Sequence, residues 1–290
     1  MKATIDWNIF KVRCSKISSA MAENVSSRRL TELQIGRKKE LEDKDARTSK
    51  QDEELALLRL KEEKSKEVLL STTYIEYLME VYAWETEGML PVDKEVLDQP
   101  ALRKGKEGED KAILLLSIVS GDLYKKHKDR ISNDYLSGEI DCYLGNDINS
   151  VEVVDDVKIS FDYPTYLKKL HTGLVNGQQE QVQGYMDILK SPKGNISNCL
   201  VTMSDEQIED EKYKYLRKLN CATDESPEFL EKWGILERSM RFDHMAPRLR
   251  VSQIPIEPMS EITRQNLYDQ VKRGRNFLNK FHEERLKLVN

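Results

Sequence analysis

What this sequence most plainly lacks is a long apolar run. Nowhere do about 18 apolar residues follow one another, so no membrane-spanning helix is expected. Residues Met1 to Phe10 also lack the basic-then-apolar pattern of a secretory signal, and a cytoplasmic location without a membrane partner is expected. Cysteine is scarce and scattered. Cys14, Cys142, Cys199 and Cys221 stand far apart, which speaks against a cysteine-held metal cluster and, in the cytosol, against disulfides. His127, His171, His244 and His282 show no paired spacing, so structural roles are expected of them rather than zinc binding. There is no global excess of positive charge, the net charge being −5, and any nucleic-acid contact must come from local clusters. No internal repeat or low-complexity linker divides the chain, and 290 residues suffice for one α/β core with embellishments.

What is present centres on two short strands. Tyr135 to Leu144 and Val151 to Phe161 are rich in β-branched and aromatic residues, with Gly145-Asn146-Asp147 as a turn between them. The first carries Gly138-Glu139-Ile140-Asp141, the second Asp156-Val157-Lys158. Strand parity puts Asp156, Lys158 and Ser160 on one face, toward a cleft. Val157, Ile159 and Phe161 take the other face, against a helix. Asp-x-Lys alone is commonly an ion pair on a solvated sheet. Here it has company in a fixed order.

Upstream, Arg103 to Asp110 leads into the apolar run Lys111 to Val119, predicted as a buried helix. Gly105 and Gly108 would permit close approach at its start, and Glu109 falls in its expected first turn. Downstream, Gln181 and Tyr185 are four apart and share one helix face. Carboxylates able to hold a divalent ion, with an ammonium and an amide beside them, suit metal-assisted phosphodiester hydrolysis. The residues therefore favour a metal-dependent nuclease.

The set Gly105, Glu109, Gly138 to Asp141, Asp156-Val157-Lys158 and Gln181 to Tyr185 resembles the PD-(D/E)XK nuclease superfamily. Within it, the pattern is most similar to the lambda exonuclease and YqaJ-type viral recombinase branch. Phe10 to Lys16 resembles a short N-terminal segment of that branch, an Arg-x-Ser ahead of a small helix. Leu200 to Met203, with an acidic helix from about Ser204, resembles the strand and helix that follow the Gln/Tyr helix. The likeness covers roughly residues 1–21 and 100–220. Asp156 stands where Glu is more usual, and residues 28–85 have no counterpart in the pattern.

The resemblance implies a restriction-endonuclease-like α/β fold, a mixed central sheet flanked by helices. It implies a Mg²⁺-dependent or Mn²⁺-dependent deoxyribonuclease, most similar to a phage exonuclease acting on DNA ends in recombination or replication. Asp141, Asp156, Glu109 and the main-chain carbonyl of Val157 would hold the metal. Lys158 would orient or deprotonate the attacking water, or neutralise charge on the phosphate. Gln181 would position water or substrate, and Tyr185 would support a phosphate. Arg13, Ser15 and Lys16 would bind the phosphate at a DNA end. DNA is the implied partner, with a single-strand annealing protein and, as in the ring-forming relatives, further copies of the chain. The implied setting is a bacterial or phage-infected cell. A structure-specific endonuclease with the same site, or a non-catalytic DNA-binding scaffold, are the alternatives.

Around this centre, residues 28–85 read as a helical insertion in one domain spanning 1–290. Arg37 to Glu67 alternates charges of both signs around Leu41, Leu55, Leu57, Leu58 and Leu60, as in a solvated helix or helical hairpin. Residues 65–85 are more apolar and should dock on the body. Residues 205–290 should be mostly helical, with helices over Asp205 to Leu219 and Pro227 to Arg241. Pro247 to Pro258 reads as an edge strand, and Ser260 should cap a helix ending near Leu288. The clusters Arg103 to Lys106, Lys125 to Arg130, Lys212 to Lys218, Arg238 to Arg250 and Lys272 to Arg275 are each read as solvated faces.

Overall fold

The computed structural model describes residues 5–22, 30–44, 46–66, 70–89, 100–221 and 223–288. Residues 28, 29, 45 and 67–69 of the expected insertion lie outside this set. The N-terminal part runs β1 (Val12–Arg13), α1 (Ile17–Met21), α2 (Glu32–Glu42), α3 (Ser49–Lys66), α4 (Thr72–Glu87) and α5 (Pro100–Ser120). Then come β2 (Lys125–Lys126), β3 (Ile131–Ser132), β4 (Leu136–Gly138), β5 (Cys142–Gly145) and β6 (Val151–Ile159). Helices α6 (Tyr163–Thr172) and α7 (Gln178–Leu189) lead to β7 (Lys193–Cys199). The chain finishes with α8 (Asp205–Leu219), α9 (Pro227–Arg238), β8 (Val251–Ile256) and α10 (Glu261–Lys287).

A five-stranded sheet in the order β2-β5-β6-β7-β8 forms the centre, with β6 and β7 parallel and the other pairs antiparallel. A small sheet, β1-β4-β3, lies in the same α/β assembly, with β1 parallel to β4. The expected mixed sheet flanked by helices is thus observed. β6 is covered on both faces. Val157 and Ile159 pack with Ala112, Ile113 and Leu116 of α5, while Val154 packs into the larger core with Val182, Tyr185 and Met186 of α7. Covering on both faces explains why the strand reads as nearly continuous Val and Ile.

The expected single strand over Tyr135 to Leu144 is two strands in different sheets. The chain leaves β4 after Gly138 and enters β5 at Cys142, so Asp141 sits in the crossing segment rather than at a strand end. Helix α5 starts nine residues before Glu109, which places that carboxylate in mid-helix instead of the first turn. Gly108 does make the close approach, since a Cβ there would stand 3.1 Å from Ile159 and from Val201, whereas Gly105 has nothing within 4 Å. The strand expected at Leu200 to Met203 is displaced to Lys193–Cys199, and helix α6 was not foreseen. The C-terminal elements agree with the sequence pattern: Ser204 and Ser260 cap α8 and α10, and β8 is an edge strand.

Helices α2 and α3 pair through Leu41, Leu55 and Leu58, and their surface carries ion pairs such as Arg37–Glu54 at 3.0 Å and Lys38–Glu62 at 2.9 Å. Helix α4 docks on the body through Tyr74, Tyr77, Leu78 and Tyr82, as its composition suggested.

Gly138 marks the tightest constraint near the crossing segment. A Cβ there would stand 2.5 Å from Tyr185 Cε1 and 3.1 Å from Cys14 Sγ. Gly138→Ala is expected to cost about 1–3 kcal/mol through overpacking. The measurement is a urea titration, with a lower midpoint at unchanged slope as the expected result.

Candidate active site

The segment entering β5, strand β6 and helix α7 bring the central residues together. Register sets Cys142 of β5 opposite Asp155 of β6, so Asp141, one residue earlier, lies level with Asp156 and Val157. The Val157 amide fixes this alignment by donating to Asp141 Oδ2 at 2.7 Å. On β6, Lys158 Nζ lies 2.6 Å from Asp156 Oδ2. The other Asp156 oxygen, Oδ1, accepts from Gln181 Nε2 at 3.1 Å, and the same amide donates to the Tyr185 hydroxyl at 2.7 Å. Asp141, Asp156, Lys158, Gln181 and Tyr185 therefore form one connected cluster.

Its electrostatics follow from burial. Asp156 is only 1% exposed, while the Lys158 side chain keeps 29% of its surface. Burial first, then the neighbouring Asp156 charge, push the Asp141 carboxyl up to about 7, with Lys158 and the Val157 amide opposing. Asp156 is raised as well, again by burial, against the pull of Lys158. Two carboxylates share one ammonium, so both acids are held toward their neutral forms.

Tyr185 is 3% exposed, and burial raises its phenol far above the usual range. It stands behind Gln181 and accepts a hydrogen bond from its amide. Glu109 is turned to β2, where Lys126 Nζ lies 3.0 Å away and also pairs with Asp110 at 2.7 Å. Its charge nonetheless acts on Asp141, raising that carboxyl further. Among the described residues no three His, Cys, Asp or Glu side chains converge closely enough to hold a metal ion on their own. Mg²⁺ does not need that, because it commonly takes one or two carboxylates and fills its shell with water and substrate phosphate.

Arg13, Ser15 and Lys16 line one cavity of about 880 Å³. Pairing of β1 with β4 places Arg13 opposite Ser137, one residue before Gly138, so the cavity borders the segment that carries Asp141. Lys11 and Arg130 join the same wall, and the ring of Tyr77 lies 5.9 Å from Lys16 Nζ. The Tyr77 hydroxyl accepts from the Arg13 amide at 3.1 Å. Sequence reading passed over Lys11, Lys126 and Arg130. Two of them lie in the cluster Lys125 to Arg130, read as a solvated face, so the signal was present but its direction was not.

Asp155, beside Asp156, points to the opposite face. It accepts from Ser197 Oγ at 2.9 Å and from Gln253 Nε2 at 3.2 Å, and burial raises it to about 6.

No protein-family description matches the sequence, and no curated protein matches it. Solved structures do resemble the fold. A phage-related exonuclease from Haemophilus somnus 129PT superposes with a TM-score of 0.55 at 17% identity, covering 97% of each chain. An alkaline exonuclease, LHK-Exo, from Laribacter hongkongensis gives 0.53 at 11% identity, covering 99% of this chain and 98% of the other. LHK-Exo in complex with dAMP gives 0.54 at 10% identity. At these identities the likeness is one of fold, and it spans nearly the whole chain. Among the described residues no helix is long and apolar enough to cross a membrane.

Proposed function

We propose that the chain is a metal-dependent deoxyribonuclease that hydrolyses DNA phosphodiester bonds from ends. The observation that carries this reading is the meeting of two carboxylates, the buried Asp156 and the partly buried Asp141, with the single ammonium of Lys158. Such a surplus of desolvated negative charge is costly unless a cation joins it. Asp141, Asp156 and the carbonyl of Val157 would hold Mg²⁺ or Mn²⁺ as a hard oxygen-donor set, with Glu109 joining them if it leaves Lys126. A cation bound there supplies Lewis-acid stabilisation of phosphate charge and a more acidic water.

The protein's own groups do the rest. Lys158, anchored by Asp156 yet partly exposed, offers its ammonium to the attacked phosphate or, once it has given up a proton, takes the proton of the attacking water as the neutral amine. Gln181 keeps Asp156 in place and can hold a water or a substrate oxygen, with Tyr185 locking its amide. Arg13, Ser15 and Lys16 would receive the phosphate at a DNA end, where charge-assisted hydrogen bonds are strong. The fold of the exonuclease structures supports cleavage from ends. The same proposal takes residues 1–290 as one nuclease domain with a helical insertion at 28–85. It extends to recombination or replication in a bacterial or phage-infected cell, to an annealing-protein partner, and to self-association.

The test is digestion of end-labelled linear duplex and of covalently closed circles, with Mg²⁺, Mn²⁺ or EDTA. Digestion of linear DNA alone, abolished by EDTA, is expected. Cutting of circles would replace this reading with an endonuclease. Binding without cleavage of either substrate would leave the scaffold.

A further inference from the structure

Helix α3 carries leucines on two opposite faces. Leu55 and Leu58 are buried against Leu41 of α2, with Leu30 packed beside them. Leu57 and Leu60 are 67% and 46% exposed. Leu57 stands two residues after Leu55, and Leu60 two after Leu58, which on a turn of about 3.6 residues sets each pair about 160° apart. One apolar face of α3 is therefore covered by α2, and a second, opposite to it, is bare. Residues three apart are neighbours on a helix, so Leu57 and Leu60 form one continuous spot. Among the described residues, none from the central fold joins the core of this hairpin.

The charges around the bare face select what covers it. Helix α3 holds five basic and five acidic residues, so it offers no net attraction to a DNA backbone. The order of its charges matters more than their sum. Glu54 lies about one turn before Leu57 and Lys61 about one turn after it, and being seven apart they share one edge of the bare face. Arg37 of α2 pairs with Glu54 at 3.0 Å, and Lys61 Nζ donates to Gln34 Oε1 at 2.8 Å, yet both side chains stay partly exposed. The edge thus runs from acid to base along the helix. A second α3 laid antiparallel brings Glu54 opposite Lys61 twice and Leu57 opposite Leu60 twice. A parallel copy would bring charges of the same sign level with each other.

We propose that two copies of the chain associate through α3, antiparallel about a two-fold axis that passes between Leu57 and Leu60. This gives the self-association proposed above a surface, and it rests on no step of the nuclease reading.

The experiment is sedimentation equilibrium of the full chain in EDTA, from about 1 to 500 µM. One helix pair makes a small interface, so the wild-type mass is expected to double with a midpoint of about 10–100 µM. Leu57→Glu and Leu60→Glu, at exposed positions that leave the fold intact, are each expected to weaken association by about tenfold or more. Glu54→Lys and Lys61→Glu are each expected to weaken it about threefold, and the two together to restore it. Recovery in the double variant cannot arise within the hairpin, where Arg37 still faces the new lysine. Association through any other surface is common to all the variants and cancels. Equal masses for wild type and the leucine variants, or a double exchange no better than the single ones, overturn the proposal. So does weaker DNA binding by the leucine variants at unchanged mass, which would assign the face to DNA. Absence of DNA cleavage would sink the nuclease reading and leave these masses as they are.

Discussion

Lys158→Ala is expected to lower the rate of DNA cleavage by about 10³-fold while leaving the protein folded, a loss of the size seen when one preorganised electrostatic group is removed. The ammonium is the only cation bonded to the Asp141–Asp156 pair among the described residues, and it retains enough exposure to meet a substrate. Removing it deletes whatever stabilisation develops on the phosphate in the transition state, and that should appear in kcat rather than KM. Lys158→Arg separates its two chemical roles. Arginine keeps the charge but does not give up its proton in proteins. If Lys158 acts through charge, the Arg variant should recover much of the rate with an unchanged pH profile. If it acts as the base, Arg should be as poor as Ala. Single-turnover cleavage of a short duplex across pH reads both. A rate near wild type for Lys158→Ala would remove the residue from the chemistry altogether.

The legible part of this fold is the part governed by short-range rules. β6 could be read because its β-branched run is bounded by turn residues, and its parity assigned Asp156 and Lys158 to one face. The sequence Asp155-Asp156 offers two adjacent acids, and only alternation decides between them. Asp156 meets Gln181, whereas Asp155 goes to Ser197 and Gln253 on the far side. The caps of α8 and α10 were equally plain, because a serine before a helix has a local reason to be there.

What stayed hidden depends on contacts distant in sequence. The break between β4 and β5 has no proline to announce it. Gly138 is needed because Tyr185, far along the chain, packs where a Cβ would be. The direction of Glu109 is set by Lys126 on another element, so a helix position alone could not fix whether it faces Asp141. Tyr185 reads from its spacing as a cleft residue, yet tertiary packing buries it. Helix α6 has the same kind of local signal, Asp162 at its N-cap and Pro164 in its first turn.

Asp141→Asn should abolish cleavage and, in EDTA at alkaline pH, make the protein more stable. The sign follows from proton linkage. Asp141 ionises near the ordinary carboxylate value when unfolded, and burial beside Asp156 raises it to about 7 in the folded chain. Between those values the folded state binds more protons than the unfolded one, so stability falls as pH rises through the window. Above about 7 the whole penalty is present, roughly 2–4 kcal/mol. Asparagine carries no charge to desolvate, and its carbonyl can still accept from the Val157 amide. The variant should therefore match wild type below about pH 4 and exceed it at pH 8, measured as urea midpoints. Mg²⁺ should then raise the wild-type midpoint at pH 8 and leave the variant nearly unmoved, because a ligand stabilises only the state that binds it. Equal midpoints for the two proteins at pH 8 in EDTA would mean that Asp141 is not strained by its neighbours. The charge surplus on which the metal assignment rests would then be absent.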